Sequence, residues 1–529
     1  MNHIELFAGC GGMSLGLKKS GFDLLLANEL SPMAAESFAY NFFNENLEEL
    51  ASKNLQARNT YWLNSNFSDL NSRLRENPFT FPKFDGEGYS EVPKAYSKLQ
   101  GKLLVGSIVE LNRLLEADSN LVSELSDAFN TDGGLDLVSG GPPCQSFSMA
   151  GLRKKDCDKN TLPWEFAKFV NLVRPKIAVL ENVTGILRPF KDESGKSFHA
   201  WYEVAKVFAS IGYIPLCLHV NARLIGIPQN RPRFIMIAVR IDHYRSISDT
   251  FESNEANKLL FEPSLKFYEL VQEYAEELPF GHLEYFDATR VKHEEIFKNS
   301  FLHYLVEGKE VSVKDALGDL KKNFPDKPSQ FIDELNSMFE SLPHRNKLSN
   351  HDFRNNGAVV QRRFRIYQVL QELDNKKVTK TIFSVLKGLE NDISSDVWRL
   401  CKGFKFLQEN GKLEKFSSQG EFVKYLHSHP TKKQTQKALI ANSPAPAALS
   451  IPDDACHYDE NELRVLTVRE IARIQSFPDN FVFRSKVTTG GQMRKYEVPQ
   501  YTQVGNAVPP LLGFKLGQCL AKLLPEKKY

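Results

Sequence analysis

A cysteine and a glutamate are the residues of this chain whose surroundings point most directly to chemistry. Cys144 lies in the run GGPPCQSFS, and Glu181 ends the apolar part of the run LENV. A thiolate is a strong nucleophile, and a partly buried carboxyl holds its proton more tightly, which suits a proton donor. A thiolate that adds to carbon 6 of a cytosine, while an acid engages ring N3, makes carbon 5 nucleophilic. The pair therefore predicts activation of a pyrimidine ring.

The other cysteines have an ordinary explanation, because most cysteines in proteins are small buried apolar residues. Cys144 differs, since two prolines and small or polar neighbours place it on a rigid loop. The absence of a CxxC pair in the sequence disfavours a zinc ribbon, and an odd count of seven cysteines disfavours a disulfide framework. Buried, unreactive thiols are predicted at five positions: Cys10, Cys217, Cys401, Cys456 and Cys519.

Two arginines in QNRPRF, Arg231 and Arg233, stand two positions apart just before a predicted strand and should face one side. They are candidates to neutralise a phosphate or to orient Cys144 and the base. A salt bridge from either arginine to Glu181 is compatible with that role. A solvated arginine pair is the alternative without function.

A glycine-rich turn, ELFAGCGGMSLGL, follows the first predicted strand and precedes a helix. Glycines at 9, 11 and 12 allow the backbone to approach a ligand at the helix N-terminus. The spacing is GxGG rather than GxGxxG, so a dinucleotide is not implied. Glu29 ends the second predicted strand, where a carboxylate suits a ribose diol. Tight packing alone would explain the turn, but together with Glu29 it predicts a cofactor site.

Short apolar, often β-branched runs alternate with helix-length stretches over the first 240 residues. This alternation predicts an α/β fold with a mostly parallel, doubly wound sheet and ligands at the carboxyl ends of its strands. The predicted strands are seven: 3–9, 24–30, 102–108, 135–141, 176–183, 213–222 and 233–240.

The remaining chain is less regular. Residues 41–101 read as a polar, aromatic-rich insertion, and the segment from 241 to 457 as longer helical and mixed elements. A capped amphipathic helix is predicted over 466–481, ending at Pro478. A turn over 503–510 then leads into a last helix, 511–524.

The segment 345–437 carries 19 lysines and arginines against 9 acidic residues. Its densest part is VVQRRFRIY, with Arg362, Arg363 and Arg365. A solvated face is the alternative, but the position between the two parts of the catalytic half favours a surface that binds duplex DNA.

Composition places the chain among soluble globular proteins of two or more domains, with 42% hydrophobic and 25% charged residues among 529. The net charge is only +2, so any charge that binds nucleic acid must be concentrated locally. The first predicted strand begins at about His3, which leaves no space for a signal peptide. Apolar runs are too short to span a membrane. A cytoplasmic protein is expected.

Seven motifs in order resemble those of the DNA (cytosine-5) methyltransferases of restriction–modification systems. They are FAGCGG, NEL, GGPPCQSFS, LENV, QNRPRF, REIARIQSFPD and GNAVPP. The resemblance implies a Rossmann-like class I methyltransferase domain and a second, smaller target-recognition domain. It implies a catalytic domain over 1–245, a recognition domain over 246–498 that includes REIARIQSFPD, and a return segment over 499–529. It also implies S-adenosylmethionine as methyl donor, S-adenosylhomocysteine as product, and no metal.

The resemblance also assigns roles to residues. Cys144 corresponds to the nucleophile, Glu181 to the group at N3 and the exocyclic amine, and Arg231 and Arg233 to the pair that supports the base and the thiolate. The segment from Gln145 to Leu162 resembles a loop that closes over a flipped base. The residues implied to bind the cofactor are Phe7, Gly9, Cys10, Gly12, Glu29, Ser107, Ile108, Pro143, Leu162, Asn506 and Val508. Those expected to contact DNA are Gln145, Ser148, Arg362, Arg363 and Arg365.

Three departures limit this transfer. Family members carry an aspartate for the adenine amino group where this chain has Ser107. The closing loop has Lys159 in place of an arginine, which removes bidentate phosphate recognition. The recognition region is also longer than a minimal enzyme needs.

The expected function is methylation of carbon 5 of a flipped-out cytosine in a specific duplex DNA site by a monomer. Its biological setting would be host protection alongside a cognate restriction endonuclease, in the cytoplasm at the nucleoid. One alternative is an RNA cytosine-5 methyltransferase that acts on tRNA. A second is a non-catalytic DNA-binding homologue, which the presence of Cys144 and Glu181 disfavours. A nicotinamide oxidoreductase is disfavoured by the GxGG turn.

Overall fold

The computed structural model describes residues 1–78, 88–143, 162–191, 195, 197–274, 277–343, 347–432, 436–447 and 449–524. Within these residues the strands, in chain order, are β1 Asn2–Leu6, β2 Asp23–Glu29, β3 Thr60–Trp62, β4 Lys102–Val105, β5 Leu137–Gly140, β6 Ile177–Val183, β7 Phe190–Lys191, β8 Ser197–Phe198, β9 Tyr213–Asn221, β10 Gln229–Asn230, β11 Pro232–Arg240, β12 Phe286–Asp287, β13 Phe406–Leu407, β14 Leu413–Glu414, β15 Lys437–Ala438, β16 Ala445–Pro446 and β17 Ala455–Cys456.

Nine of these described strands form one sheet in the order β12-β9-β11-β6-β5-β1-β2-β4-β3. Neighbours run parallel except beside β11, which is antiparallel to both β6 and β9. All seven predicted strands are present in it, so the prediction of an α/β fold with a mostly parallel sheet is confirmed. The two further strands, β3 and β12, are the two edge strands of the sheet and have three and two residues. Strands this short carry no readable alternation.

The α-helices, in chain order, are α1 Gly12–Lys19, α2 Pro32–Phe42, α3 Leu47–Ser52, α4 Leu70–Arg73, α5 Ile108–Ala117, α6 Ser119–Ser126, α7 Leu162–Val173, α8 Ala200–Ser210, α9 Ile241–Phe251, α10 Glu255–Tyr274, α11 Val291–Asn299, α12 Val313–Leu317, α13 Gln330–Met338, α14 Ala358–Leu373, α15 Lys376–Leu386, α16 Ser395–Cys401, α17 Gln419–His427, α18 Val468–Ile474, α19 Gln500–Asn506 and α20 Pro510–Ala521.

Helices cover both faces of the sheet. On one face, α5, α7 and α8 pack against strand residues that include Leu180 and Met236. On the other face, α1, α9, α11 and α20 pack against residues that include Val179 and Ile235. Because side chains alternate along a strand, Val179 and Leu180 are buried on opposite faces. This explains why the central strands read as continuous apolar runs.

Helices α1 and α20 approach each other at glycines. A Cβ on Gly16 would collide with the backbone of Pro510 and Phe514, and one on Gly517 would collide with the side chain of Ser20. The glycines of the first helix are therefore needed for the return of the chain, independently of any ligand.

The insertion predicted over 41–101 joins the main sheet through β3, which pairs with β4. Arg75 forms an ion pair with Glu36 of α2, at 3.1 Å between Nη1 and Oε1. Glu48 forms another with Arg484, at 3.2 Å. The insertion thus contacts both the main sheet, through β3, and the chain near Arg484, through Glu48.

A further apolar cluster lies within 364–465 and is built on α14 to α17. The predicted boundary between the catalytic and recognition domains, at residue 245, falls more than 100 residues before this cluster. Beyond that boundary, α10 still buries Phe261 on one face of the sheet and Phe267 on the other. The three-part division of the chain therefore stays a prediction.

The helix expected over 466–481 is shorter than predicted. Its predicted cap is present, since Thr467 and Glu470 form a capping box at the start of α18. The helix ends at Ile474, and the prediction of an end at Pro478 is wrong.

The expectation of an amphipathic helix there is also wrong, because every residue of α18 is buried. Its charges are neutralised locally: Arg473 contacts Asp319 at 2.6 Å and Asp479 at 2.8 Å. The turn predicted over 503–510 begins as the end of α19, and α20 then follows much as expected.

Candidate active site

The carboxyl ends of the parallel strands meet at one edge of the sheet, and the predicted site residues follow them. Leu6 of β1 pairs with Gly140 of β5, and Gly140 pairs with Leu180 of β6. Strand β11 runs in the opposite direction and starts at this edge, with Arg233 opposite Val183. The glycine turn, the GGPP segment that ends at Pro143, the glutamate of β6 and the arginines of QNRPRF are therefore neighbours.

Glu181 and Arg233 form a buried ion pair. Arg233 Nε lies 2.6 Å from Glu181 Oε1, and the two side chains are only 9% and 10% exposed. Burial lowers the pKa of Arg233, and the charge of Glu181 opposes that shift. The other carboxylate oxygen of Glu181 faces Gly141, where a Cβ would lie 3.1 Å from Oε2. The acid is thus held against the backbone that leads to Cys144.

Asn182 fixes the same backbone from the next position. Its Nδ2 donates to the carbonyl oxygen of Pro142 at 2.9 Å, and its Oδ1 accepts from the N–H of Val183 at 2.8 Å. Sequence reasoning did not single out Asn182, although it directly follows Glu181 in LENV. The amide aligns the start of the PPC segment with the end of β6.

Several predicted residues lie outside the described part of the chain. They are the nucleophile Cys144, the DNA-contact residues Gln145 and Ser148, and Lys159. The closing loop, expected between Gln145 and Leu162, lies there as well apart from its last residue.

Arg231 serves different partners from Arg233. Its Nη2 donates to the carbonyl oxygens of Gly505 at 2.7 Å and Ala507 at 3.1 Å, and its Nη1 to that of Ala447 at 3.3 Å. Burial, with repulsion from Arg233, lowers the pKa of Arg231 well below its ordinary value. Its guanidinium therefore holds the C-terminal turn, while that of Arg233 holds the acid.

Glu29 closes the glycine turn. Its carboxylate accepts from the N–H of Gly9 and from the N–H of Ser31, each at 2.7 Å. Burial raises the pKa of Glu29, and these backbone donors oppose the rise. Phe7, at the start of the turn, has a φ of 55° and Gly9 one of 57°. The turn is thus bent in the left-handed region, which Gly9 tolerates without strain.

The remaining cofactor candidates differ in what they present. A Cβ on Gly12 would collide with the carbonyl oxygen of Val508, so these two residues are in direct contact. Asn506, at the end of α19, is exposed. The side chain of Cys10 is 1% exposed within an apolar cluster, so Cys10 offers only its backbone to a ligand.

Ser107 and Ile108 follow β4 at the same edge. The Ser107 hydroxyl accepts from the N–H of Val109 at 3.1 Å and caps α5. Its oxygen retains a second lone pair and its hydrogen for another partner. Pro143 is exposed, and Leu162 opens α7 half-buried. Their roles toward a cofactor stay predictions.

A buried polar chain lies beneath the glycine turn. Ser14 donates its hydroxyl hydrogen to Glu5 Oε2 and lies 3.4 Å from His3 Nε2. Burial raises the pKa of Glu5 to about 8, an effect that the Ser14 hydrogen bond partly offsets. Burial also lowers the pKa of His3 to about 3. At neutral pH both groups are therefore uncharged.

Glu5→Gln should gain stability relative to the unchanged protein as pH rises from 4.5 to 8. Folded Glu5 keeps its proton up to about pH 8, whereas the unfolded chain loses it near its ordinary value of 4.5. The unfolded state thus binds fewer protons in this window, and the contribution of Glu5 to stability falls as pH rises. Glutamine has no proton to lose. Thermal melts across the window measure the difference, with the exposed Glu414→Gln as control, and parallel curves for the Glu5 variant would contradict the expectation.

The three arginines of VVQRRFRIY occupy different environments on α14. Arg365 is 3% exposed and pairs with Glu372 at 2.9 Å and Glu460 at 3.2 Å. Arg363 donates to the carbonyl oxygen of Pro430 at 2.7 Å. Arg362 is half-buried. A contact with DNA stays a prediction for all three, and the buried pairing of Arg365 offers it no support.

The five cysteines expected to be inert, Cys10, Cys217, Cys401, Cys456 and Cys519, are buried with free thiols, as predicted. Among the residues that the structure describes, no cluster of three or more His, Cys, Asp or Glu side chains is arranged to hold a metal ion. None of the described helices has the length and apolar composition needed to cross a lipid bilayer.

Similar proteins are found along almost the whole chain. The Type II methyltransferase M1.HphI of Haemophilus parahaemolyticus is 24% identical over 527 residues, covering 99% of this chain and 87% of that protein. The Type II methyltransferase M.DdeI of Desulfomicrobium norvegicum is 25% identical, covering 98% and 88%. A crystal structure of a putative DNA modification methyltransferase encoded within a prophage of E. coli aligns over 99% of both chains, with a TM-score of 0.50 and 18% identity. This supports the Rossmann-like methyltransferase fold.

A family model for C-5 cytosine-specific DNA methylases matches residues 1–61 and 116–522. The unmatched stretch contains most of the insertion together with Ser107 and Ile108, where the motif also departs from the family pattern. The match includes the turn after β1, Glu181 and both arginines of QNRPRF. The chain belongs to the C-5 cytosine-specific DNA methylase family and is a DNA cytosine-5 methyltransferase.

Proposed function

We propose that this enzyme methylates carbon 5 of a flipped-out cytosine in a specific duplex DNA site through a covalent adduct between Cys144 and carbon 6. The observation that carries the proposal is the buried pair of Glu181 and Arg233, 2.6 Å apart, against Gly141 of the GGPPC run. An oriented carboxyl group thus lies beside Gly141, three residues before the proposed nucleophile.

The residues of the chain account for activation of the ring. Glu181, oriented by Arg233, engages ring N3 and the exocyclic amine, which favours addition of the Cys144 thiolate at carbon 6. Asn182 holds Pro142 and so aligns the segment that carries the thiol. S-adenosylmethionine, when bound, supplies an electrophilic methyl group. Once carbon 5 carries the methyl group, a base or water removes its proton, the double bond re-forms and the thiolate leaves.

The turn after β1 fits S-adenosylmethionine, the methyl donor that this family uses in general. Among the described residues, apart from Gly9 and its two chain neighbours, no atom lies within 4 Å of the position that a Cβ on Gly9 would occupy. The N-cap residue of α1 is Gly11, whose lack of a side chain leaves the start of the helix uncovered for the approach of a carboxylate. Glu29 uses one lone pair of each oxygen for the turn and retains others for ribose hydroxyls.

Base flipping follows from the chemistry, because an attack on carbon 6 from above the ring needs a base outside the helical stack. The recognition region supplies a basic surface for the duplex. Eight of its exposed lysines lie between the start of α15 and the residue after β14: Lys376, Lys377, Lys380, Lys387, Lys402, Lys405, Lys412 and Lys415.

The biological setting is proposed from the relatives. M1.HphI and M.DdeI are both named Type II methyltransferases, and the chain covers 87% and 88% of their lengths. We infer protection of host DNA alongside a cognate restriction endonuclease, by a monomer in the cytoplasm at the nucleoid.

Transfer of a radiolabelled methyl group from S-adenosylmethionine to duplex DNA and to tRNA tests the substrate class. Label in DNA is expected, and label confined to tRNA would overturn the proposal. Bisulfite sequencing of DNA from cells that express the chain should then show one protected sequence. Protection scattered over unrelated cytosines would contradict site specificity.

A further inference from the structure

Arg231 lies at a junction of three chain segments. Its side chain is bound to the carbonyl oxygens of Gly505, Ala507 and Ala447, at 2.7, 3.1 and 3.3 Å. Its backbone N–H donates to Oδ1 of Asn221, the last residue of β9, at 3.1 Å. The residue as a whole is 3% exposed. The guanidinium therefore has backbone partners on two segments far away in the sequence.

The C-terminal segment needs such a donor. In a helix the carbonyl of Gly505 would accept from the N–H four residues later, but that residue is Pro509, which has none. The N–H of Leu511, four residues after Ala507, donates instead to Ser476 Oγ at 3.1 Å. Arg231 satisfies both carbonyls at the end of α19, where a positive charge also complements the helix dipole.

The other segment is the exit from the recognition region. Strand β10 pairs with β16, and the N–H of Ala445 donates to the carbonyl oxygen of Pro228 at 2.9 Å. Gln229 Nε2 donates to the carbonyl oxygens of Pro446 at 3.1 Å and Ala447 at 3.4 Å. The segment 228–231 therefore binds residues 445–447, where the chain returns from the recognition region to the catalytic half.

We propose that Arg231 is a positioning residue, which sets the turn 505–508 of the cofactor pocket and ties it to the exit of the recognition region at Ala447. This rests on the proposed function, because Asn506 and Val508 are assigned to the cofactor pocket through the motif resemblance alone. Val508 in turn packs its carbonyl on Gly12, so a shift of the turn reaches the glycine loop after β1. Arg233, in contrast, forms an ion pair with Glu181 and orients its carboxyl group.

The proposal predicts that a change at Arg231 affects cofactor affinity more than the turnover number. In Arg231→Gln, the affinity for S-adenosylhomocysteine should fall by about 10-fold to 100-fold, because a displaced turn misplaces the groups that contact it. The turnover number at saturating S-adenosylmethionine should change little. Arg231→Lys should fall in between, since an ammonium group reaches fewer carbonyls than a guanidinium.

The test combines calorimetric binding of S-adenosylhomocysteine with hydrogen exchange of the segment 500–508 in the free protein. Both are read without turnover. Faster exchange there together with weaker binding is the expected result. The control is Arg240→Gln, at the opposite end of β11, where Nε contacts Asp242 at 2.6 Å. It should leave both readouts unchanged.

A second variant guards against a folding defect. A Cβ on Gly505 would collide with Ser450, so Gly505→Ala displaces the same turn while Arg231 is kept. It should weaken binding of S-adenosylhomocysteine in the same way. Unchanged affinity in either folded variant, with a lost turnover number in Arg231→Gln, would overturn the proposal. Arg231 would then act on the base, as the motif resemblance implies. Tight binding without methylation by the unchanged protein would count against the proposed function alone.

Discussion

Cys144→Ser is expected to abolish methyl transfer while the affinity for S-adenosylmethionine stays nearly unchanged. A serine hydroxyl is far less nucleophilic than a thiolate at neutral pH, so the rate should fall by at least about 10³-fold. Single-turnover transfer to duplex DNA measures the rate, and calorimetry measures the affinity. Cys157→Ser, the same chemical change in the segment that follows, is the matched control and should keep its activity.

The same experiment has a direct readout of the covalent bond. On duplex DNA with 5-fluorocytosine at the target and S-adenosylmethionine present, the unchanged protein should remain attached. After methyl transfer, fluorine at carbon 5 cannot leave as a proton does, so the bond to carbon 6 persists. Denaturing electrophoresis shows the adduct. Transfer at a normal rate by Cys144→Ser, or an adduct formed by that variant, would identify another nucleophile.

Glu181→Gln is expected to lower the single-turnover rate by about 10²-fold to 10⁴-fold, because an amide cannot exchange a proton with ring N3 as a carboxyl group can. It also leaves the buried Arg233 without its countercharge, which should cost about 3 kcal/mol or more of folding free energy. Thermal melts and rate measurements on the same preparation separate the two effects.

The control for Glu181 is a second buried ion pair, which lies just before α18 in the chain. Glu462 is 2% exposed and pairs with Arg464 at 2.5 Å. Glu462→Gln should lower the melting temperature by less, because Arg464 keeps Glu470 as a partner at 2.7 Å, and should leave the transfer rate of the folded fraction nearly intact. Equal losses of rate in both variants would mean that Glu181 acts through stability alone.

The central sheet was predictable because each of its main strands is a short apolar run with turn residues at its ends. The edge strands β3 and β12 were not, since two or three residues have no period. The prediction of an amphipathic helix at α18 was wrong for a different reason. Arg469 and Glu470 look exposed in sequence, yet both are 0% exposed in the fold. Arg469 donates to the carbonyl oxygen of Ser349, 120 positions away, and Glu470 accepts from Arg464.

The acid and the glycine turn of the site were predictable, because each lies at a strand end and parallel strands share one edge. Contacts across the sequence were not. Arg231 reaches Gly505 over 274 positions, and Asn182 reaches Pro142 over 40. A local pattern shows that such a side chain is polar and placed near a strand end. It does not show which distant carbonyl will accept its hydrogen bond.

The tight packing of α1 on α20 affects how the protein is made. Gly12 and Gly16 touch Val508 and Pro510, which are among the last described residues to be synthesised. A ribosome-bound chain that lacks α20 cannot complete this contact, because a contact between the two ends of the fold waits for synthesis of the second. We therefore expect a nascent chain to acquire its affinity for S-adenosylhomocysteine only once α20 has emerged from the exit tunnel.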